Sequence, residues 1–438
     1  MNLRKRPAKP LVSKVKTSKR ARLSTSTSEN QISEKRQKIN TGIEILPAEI
    51  LVHIFELLSV ADRMGIEAVC KRWQAVSSKH SWSKTTLWML TAKLCCLIKR
   101  CVKYIKVVNL SSLANQANLS KCLQRVLNKI PANQLHHLDI SYFDVKKTTL
   151  EKIAVRFKNL KGITISCGSK NIAFLDCLFK QFPSLEIFEL HNSYLEGISF
   201  KGLPSNLKSL ELSFCMGLAD DQIRQITLAC PNLECFMMEC IHYSWNISSA
   251  GLNTLLQGLK CLRKIVINGK ENYELSPLVH FNQLVHLDLN MKQLLTGPLL
   301  QSISKCSQLK FLRLAENKGV EKCTEQALIQ LSTLISLEHL HLYGMDYLTD
   351  RALETIIESI PSLKALHILY HPQITESILE IVLRNCHQLK FFDLSHSRLD
   401  SKKNLTQLCV SVSKDLKIRA CKLDVETRNF RFFVVKDK

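Results

Sequence analysis

Along most of this 438-residue chain the apolar positions follow one short rule, L-x-x-L-x-L, with Ile, Phe, Val and Met standing in for Leu. It first occurs at Ile105–Leu110 and Leu135–Ile140, and last at Leu363–Ile368 and Leu389–Leu394. Twelve such hexamers follow one another at intervals of 22 to 30 residues, about 26 on average. One hexamer is common by chance; twelve in series at that spacing mark an internal repeat. A strand alternates its faces, so the apolar positions point into a shared core and the intervening ones point away. Between hexamers the apolar spacing turns helical, as in "TDRALETIIESI" at Thr349–Ile360 and "TESILEIVLRNC" at Thr375–Cys386. Thr349 and Thr375 are predicted helix N-caps. Cys230, Cys306 and Cys386 each stand three residues before the first Leu of a hexamer, where a small buried residue is expected.

No single strand–helix unit of this size can bury its own apolar face, so neighbours must stack. The predicted fold is therefore α/β: a leucine-rich-repeat solenoid of about twelve units over residues 105–425, strands on the concave face and helices on the convex face. "LKIRACKLDV", Leu416–Val425, is expected to form a last strand, and residues 426–438 a capping tail.

A different pattern precedes the repeats. In "ILPAEILVHIFELL", Ile45 to Leu58, Pro47 suits a first helical position and Glu49 the first turn. Ile50, Ile54 and Leu57 follow at helical spacing. Asp62 is predicted to begin a second helix, and Val69, Trp73 and Val76 to mark one face of a third. Three helices over residues 43–85 make a unit near the lower size limit for independent folding. Residues 86–104 are expected to be a helical linker.

Charge changes the picture at the front. The net charge is +23, yet residues 1–42 alone hold 12 Lys and Arg against 2 acidic residues. That tail has no aromatic residue and is predicted to be disordered. Its clusters Lys19, Arg20, Arg22 and Lys35, Arg36, Lys38 have the spacing of a bipartite nuclear import signal, which predicts an import carrier as partner and the nucleus, with the cytoplasm, as location. "STSTSE", Ser24–Glu29, lies between them, where phosphorylation would cancel positive charge. Because the excess is concentrated there, nucleic-acid binding by the folded part is not expected. The 17 cysteines form no disulfide framework, no secretory signal opens the sequence and no apolar run is long enough to span a membrane.

The outward positions of the hexamers are the candidate substrate-binding surface. Asp139, Glu189, Glu211 and Glu239, with Asp288 and Asp393, face only Lys264 and Arg313, which favours a basic substrate segment over a phosphorylated one. Toward the C-terminal half the outward positions become aromatic and histidine-rich: Phe311, Arg313, His339, His341, Tyr343, His367 and Phe391. Three imidazoles, those of His339, His341 and His367, are candidates for holding zinc, but no carboxylate obviously completes or orients them, so neither a metal nor a cofactor is expected. Phosphate-loop, metalloprotease, nucleophile-elbow and C-x-x-C motifs are missing from the sequence, and the chain reads as non-catalytic.

Leu46-Pro47-x-Glu49-Ile50-Leu51, Ile54-Phe55, Leu58 and Val69-Cys70-Lys71-Arg72-Trp73 together resemble an F-box. An F-box ahead of such repeats resembles the F-box/leucine-rich-repeat family, substrate receptors of SCF-type cullin–RING ubiquitin ligases. The resemblance implies a Skp-type adaptor that links to a cullin and a RING subunit, and a protein substrate held by the repeats. It also implies adaptor-facing roles for Leu46, Pro47, Ile50, Ile54 and Phe55, with Trp73 supporting their packing. A repeat scaffold or inhibitor that binds its partner without degrading it is the alternative.

Overall fold

A computed structural model describes residues 43–78, 86–88, 106–110, 123–124, 127–141, 143, 147–166, 175–239, 245–268, 275, 278, 281–293, 295–316, 323–394, 417–423 and 430–434. The basic tail, with both of its lysine–arginine clusters, lies outside them. The chain divides into two units, Met1–Ala48 and Glu49–Lys438. In the first, a 3-10 turn at Ile43–Ile45 closes with the Leu46 N–H donating to the Ile43 carbonyl at 3.3 Å.

Three short helices follow: α1 (Ala48–Glu56), α2 (Val60–Ile66) and α3 (Lys71–Val76). The second begins two residues earlier than expected, because Ser59 caps it by accepting from the Asp62 N–H at 3.2 Å. Cys70 caps α3 in the same way through Trp73 N–H, which leaves Val69 outside the helix and well exposed rather than on its buried face. Arg63 fastens α2 to the end of α1 by donating to the Glu56 and Leu58 carbonyls at 2.7 and 3.1 Å.

Thr86–Trp88, predicted to open a helical linker, is instead strand β1. A Thr-Leu-Trp run suits a pleated surface, and β1 pairs in parallel with β2 (Val107–Asn109). The strands then run in sequence order as one sheet: β3 (His137–Asp139), β4 (Gly162–Ser166), β5 (Ile187–His191), β6 (Ser209–Ser213), β7 (Cys235–Glu239) and β8 (Lys264–Asn268). After these come β9 (His286–Gln293), β10 (Phe311–Glu316), β11 (His339–Tyr343), β12 (Ala365–Leu369), β13 (Phe391–Asp393), β14 (Lys417–Leu423) and β15 (Phe430–Val434). Neighbours from β1 to β14 pair in parallel, whereas β15 turns back antiparallel on β14.

Each of the twelve hexamers carries one of strands β2 to β13. Their apolar positions form two buried rows, for example Leu210, Phe236, Ile265, Leu287, Leu312, Leu340 and Leu366 in one. Among the described residues, the helices on that side are α4 (Lys147–Arg156), α5 (Leu175–Gln181), α6 (Asp220–Ala229), α7 (Ser249–Gly258), α8 (Gly297–Ser304), α9 (Glu325–Ile329), α10 (Asp350–Glu358) and α11 (Ser377–Asn385). Their buried residues join the strand rows in one continuous core. Thr349 caps α10, accepting from the Ala352 N–H at 3.2 Å. Thr375 sits one residue before the cap position of α11 and accepts from the Ser377 N–H instead. Cys230 and Cys306 are buried and donate to the Pro204 and Leu278 carbonyls of the preceding unit, at 3.4 and 3.7 Å.

A second ladder, made of main chain, runs beside the sheet. The Lys106 carbonyl accepts from the N–H groups of both His136 and His137, at 2.8 and 3.0 Å. The His136 carbonyl accepts from Lys161 and Gly162 in turn, and the Lys161 carbonyl from Glu186 and Ile187. The same two-to-one step recurs at every junction to Lys364, whose carbonyl receives Lys390 and Phe391. The main-chain N–H groups at these strand entries are thereby satisfied from the neighbouring unit. No helix among the described residues is long and apolar enough to cross a membrane.

Candidate protein-binding surfaces

The first surface is on the small helices. Along α1, Leu51 and Phe55 point inward, while Ile50, Ile54 and then Leu57 lie on the other side. Phe55, expected to face a partner, is 1 % exposed and packs on Trp73 with ring centroids 5.4 Å apart. Its large ring is buried inside the small bundle, where an aromatic side chain contributes a large apolar area. Leu57 was overlooked as a surface residue: it is 88 % exposed just past the end of α1. Ile50 remains exposed and Ile54 half-buried. In the preceding unit Pro47 is exposed and Leu46 half-buried.

The second surface is the side of the sheet away from the helices, where the register lines the outward residues into rows. Over strands β3 to β7 one row holds Asp139, Thr164, Glu189, Glu211 and Met237, and the adjoining one His191, Ser213 and Glu239. Asp139 accepts from the N–H and the hydroxyl of Ser141 at 2.9 and 2.7 Å, and from the Asn109 amide. Thr164 donates to Glu189 at 2.7 Å, and Ser213 to Glu211 at 2.6 Å. Asn268 donates to Glu239 at 2.7 Å. His191 lies 3.5 Å from Glu211, long for a hydrogen bond but close for a charge pair. Burial disfavours its charged form, yet Glu211, with Glu189 and Asp139 behind it, outweighs burial and raises its pKa. The Glu211 carboxyl is correspondingly lowered, first by His191.

Strands β9 to β13 carry something else. His286 stacks on Phe311 with centroids 4.0 Å apart and planes 4° from parallel, and Phe311 meets His341 at 5.0 Å. His341 stacks on His367 at 3.8 Å, and His367 meets Phe391 at 4.8 Å. Five rings from five successive strands thus form one ribbon, with His339 on its flank 6.0 Å from Phe311. Burial, then neighbouring cations, pushes His286 down to about 4, and burial with His367 takes His341 down to about 3. Burial also lowers His339. Parallel stacking keeps the nitrogens of His341 and His367 in separate planes, so they do not converge on one metal. A carboxylate does reach this group, contrary to expectation: Asp393 lies 3.8 Å from His367 Nδ1. Asp288 is 5 % exposed rather than displayed; Arg313 holds it at 2.9 Å, yet burial pushes its carboxyl up to about 6.

The residue after the strand repeats one conformation. Asn192, Phe214, Gly344 and Tyr370 follow β5, β6, β11 and β12, and all have positive φ, from 48° to 74°. Gly344 is required there, because an added Cβ would stand 2.6 Å from the Glu316 carbonyl oxygen. Phe214 and Tyr370 are bulky residues in a region L side chains avoid, and both are about two-fifths exposed. Tyr343, exposed to the same degree, meets Tyr370 at 4.9 Å. Below them His371 is fully buried between the Leu342 and Met345 carbonyls, with one ring nitrogen 3.0 Å from each.

Residues 43–87 match the F-box-like family model. The chain is 26% identical over 236 residues to F-box/LRR-repeat protein 12 of Arabidopsis thaliana, covering 53% of this chain and 43% of the relative. It is 24% identical over 229 residues to F-box/LRR-repeat protein 12 of Homo sapiens, covering 51% and 55%. The chain therefore spans about half the length of the curated relatives it matches. Among solved structures, a chain of the yeast Rad7 and Elc1 complex superposes with a TM-score of 0.53 at 15% identity, over 85% of this chain and 92% of that one. At that identity the likeness shows the fold alone. An F-box-like segment ahead of a leucine-rich-repeat sheet is thus the make-up of this chain, and it resembles the F-box/LRR-repeat proteins in both.

Proposed function

We propose that this chain is the substrate-recognition subunit of an SCF-type ubiquitin ligase. The observation that carries the reading is the F-box-like segment, with Ile50 and Leu57 exposed on and just past its first helix, followed by a sheet whose outward rows carry no helix among the described residues. In this reading Leu46, Pro47, Ile50, Ile54 and Leu57 receive a Skp-type adaptor. Phe55 and Trp73 shape that surface from beneath. A cullin and a RING subunit join through the adaptor, and the outward rows hold a protein destined for ubiquitination. The chain supplies no chemistry of its own; the transfer belongs to recruited subunits.

The test is a pull-down with purified Skp adaptor and cullin, comparing wild type with the Leu46→Ala/Pro47→Ala double variant and with Ile50→Asp. Retention by wild type and loss in the variants supports the reading. A folded wild type that retains neither adaptor nor cullin overturns it. The lysine–arginine clusters at Lys19–Arg22 and Lys35–Lys38 are proposed to bind an import carrier. A fluorescent fusion that stays nuclear after both are changed to Ala would remove that part.

A further inference from the structure

The two halves of the outward face differ in charge, and the difference implies a particular ligand. Among the described residues, the outward rows of β3 to β7 carry Asp139, Glu189, Glu211 and Glu239 and no Lys or Arg. Lys264, at the start of β8, acts on Glu211 from the edge of this group, but the lysines entering β4 and β6 do not neutralise it. Lys161 and Lys208 pair with Glu186, at 2.6 and 3.8 Å, in a separate row. Phe214 is exposed on this half, following the strand that holds Glu211. An aromatic face beside carboxylates is the arrangement that accepts a Lys or Arg side chain.

In the other half the carboxylates of Asp288 and Asp393 are buried. Burial holds His286 and His341 of its ring ribbon below the usual imidazole value, Arg313 pairs with Asp288, and Tyr343 and Tyr370 stand exposed beyond it. Two bulky residues, one on each half, are held in the left-handed region where Asn or Gly would be cheaper. Tyr370 is further fixed by its neighbour His371, which is buried between two carbonyls of the preceding unit. Aromatic side chains of this kind, rigid and partly exposed, are common anchors in protein interfaces.

We propose that this face binds one extended, two-part segment of a protein: Lys or Arg side chains at one end, over β5 to β7, and an aromatic or long aliphatic side chain at the other, against Tyr343 and Tyr370. β6 and β12 are six strands apart in the sheet. At about 4.8 Å per strand that is about 29 Å, which an extended chain covers in about nine residues. The inference rests on the substrate-receptor reading for its biological meaning, but the binding it describes does not need the adaptor.

The probe is a fluorescein-labelled peptide with four Lys and Arg residues, a Gly/Ser spacer and a Phe-Trp end, sized so that its two ends lie about nine residues apart. Binding to the full chain is read by fluorescence anisotropy. The Glu189→Gln/Glu211→Gln and Tyr343→Ser/Tyr370→Gly variants are each expected to weaken it about tenfold or more. Halving the spacer should reduce affinity to that of the basic end alone. Equal binding of the basic end alone and the whole peptide, or no effect of either double variant, overturns the proposal. Circular dichroism melts of both variants exclude unfolding as the cause of a loss. The adaptor pull-down on the same proteins separates the two readings. Adaptor retained with peptide lost in wild type sinks only this inference, whereas peptide bound with adaptor lost sinks only the ligase reading.

Discussion

Strands β3 to β7 and strands β9 to β13 share a backbone and a core but not a surface. On the buried side both halves present the same Leu, Ile and Phe rows. On the open side one half is a set of carboxylates stitched by Ser, Thr and His, and the other is a ribbon of stacked rings. The buried core and the open face are therefore carried by alternate residues of the same strands. The period of two in a strand is what permits it, since changing an outward residue leaves its inward neighbours in place.

The largest effects should come from the side the halves have in common. Leu212→Ala in β6 and Leu342→Ala in β11 each remove a fully buried side chain, and each should cost about 2–5 kcal/mol. Urea denaturation measures both; a loss in one half only would mean the halves are not one core. Next comes Arg313→Met, which strands the buried Asp288 carboxylate and should cost about 1–3 kcal/mol. Adding Asp288→Asn should restore most of it, because the uncompensated charge is then gone.

Acidity should separate the halves more subtly. His286, at about 4, and His341, at about 3, are held below the usual imidazole value of 6.5. Between those values the unfolded chain binds more protons, so their contribution to stability falls as pH drops below about 6.5. Asp288 opposes this, since a carboxyl raised to about 6 stabilises the fold as it protonates. In the acidic half, His191 is raised, so its contribution is full below about 6.5 and is lost as pH rises through its folded value. Hydrogen exchange at pH 5 and pH 7 should thus show β11 loosening on acidification while β5 and β6 hold. Equal changes in both would defeat the contrast. The smallest effect is Phe214→Asn, expected to raise stability by about 0.5–1 kcal/mol by relieving the left-handed conformation. It should do so while weakening a basic ligand.

The repeat and its buried rows were legible because apolar spacing is a one-dimensional signal. The exposed face was legible only as a membership roll. Nothing in the sequence says that His341 lies flat on His367, because the residues that meet are 24 to 30 positions apart and their pairing depends on the register between units. Asp288 reads as an outward acid, yet its surroundings bury it. Phe55 fits the spacing of an exposed helix face as well as a buried one, and only the position of Trp73 settles which. Thr86–Trp88 becomes a strand because β2 offers it an edge, a fact held by a distant part of the chain.

The main-chain ladder at the strand entries bears on how such a protein can change over generations. Each unit hangs on its predecessor through two N–H groups converging on a single carbonyl, and successive carbonyls are 22 to 30 residues apart. The attachment ignores side-chain identity and fixes only where a strand begins. An insertion or deletion between strands is therefore taken up in the helix and its loops, while every later strand still starts against the same carbonyl. Lengths can drift unit by unit without shifting the open face, so that surface can be inherited intact by a chain whose hidden side has been rewritten.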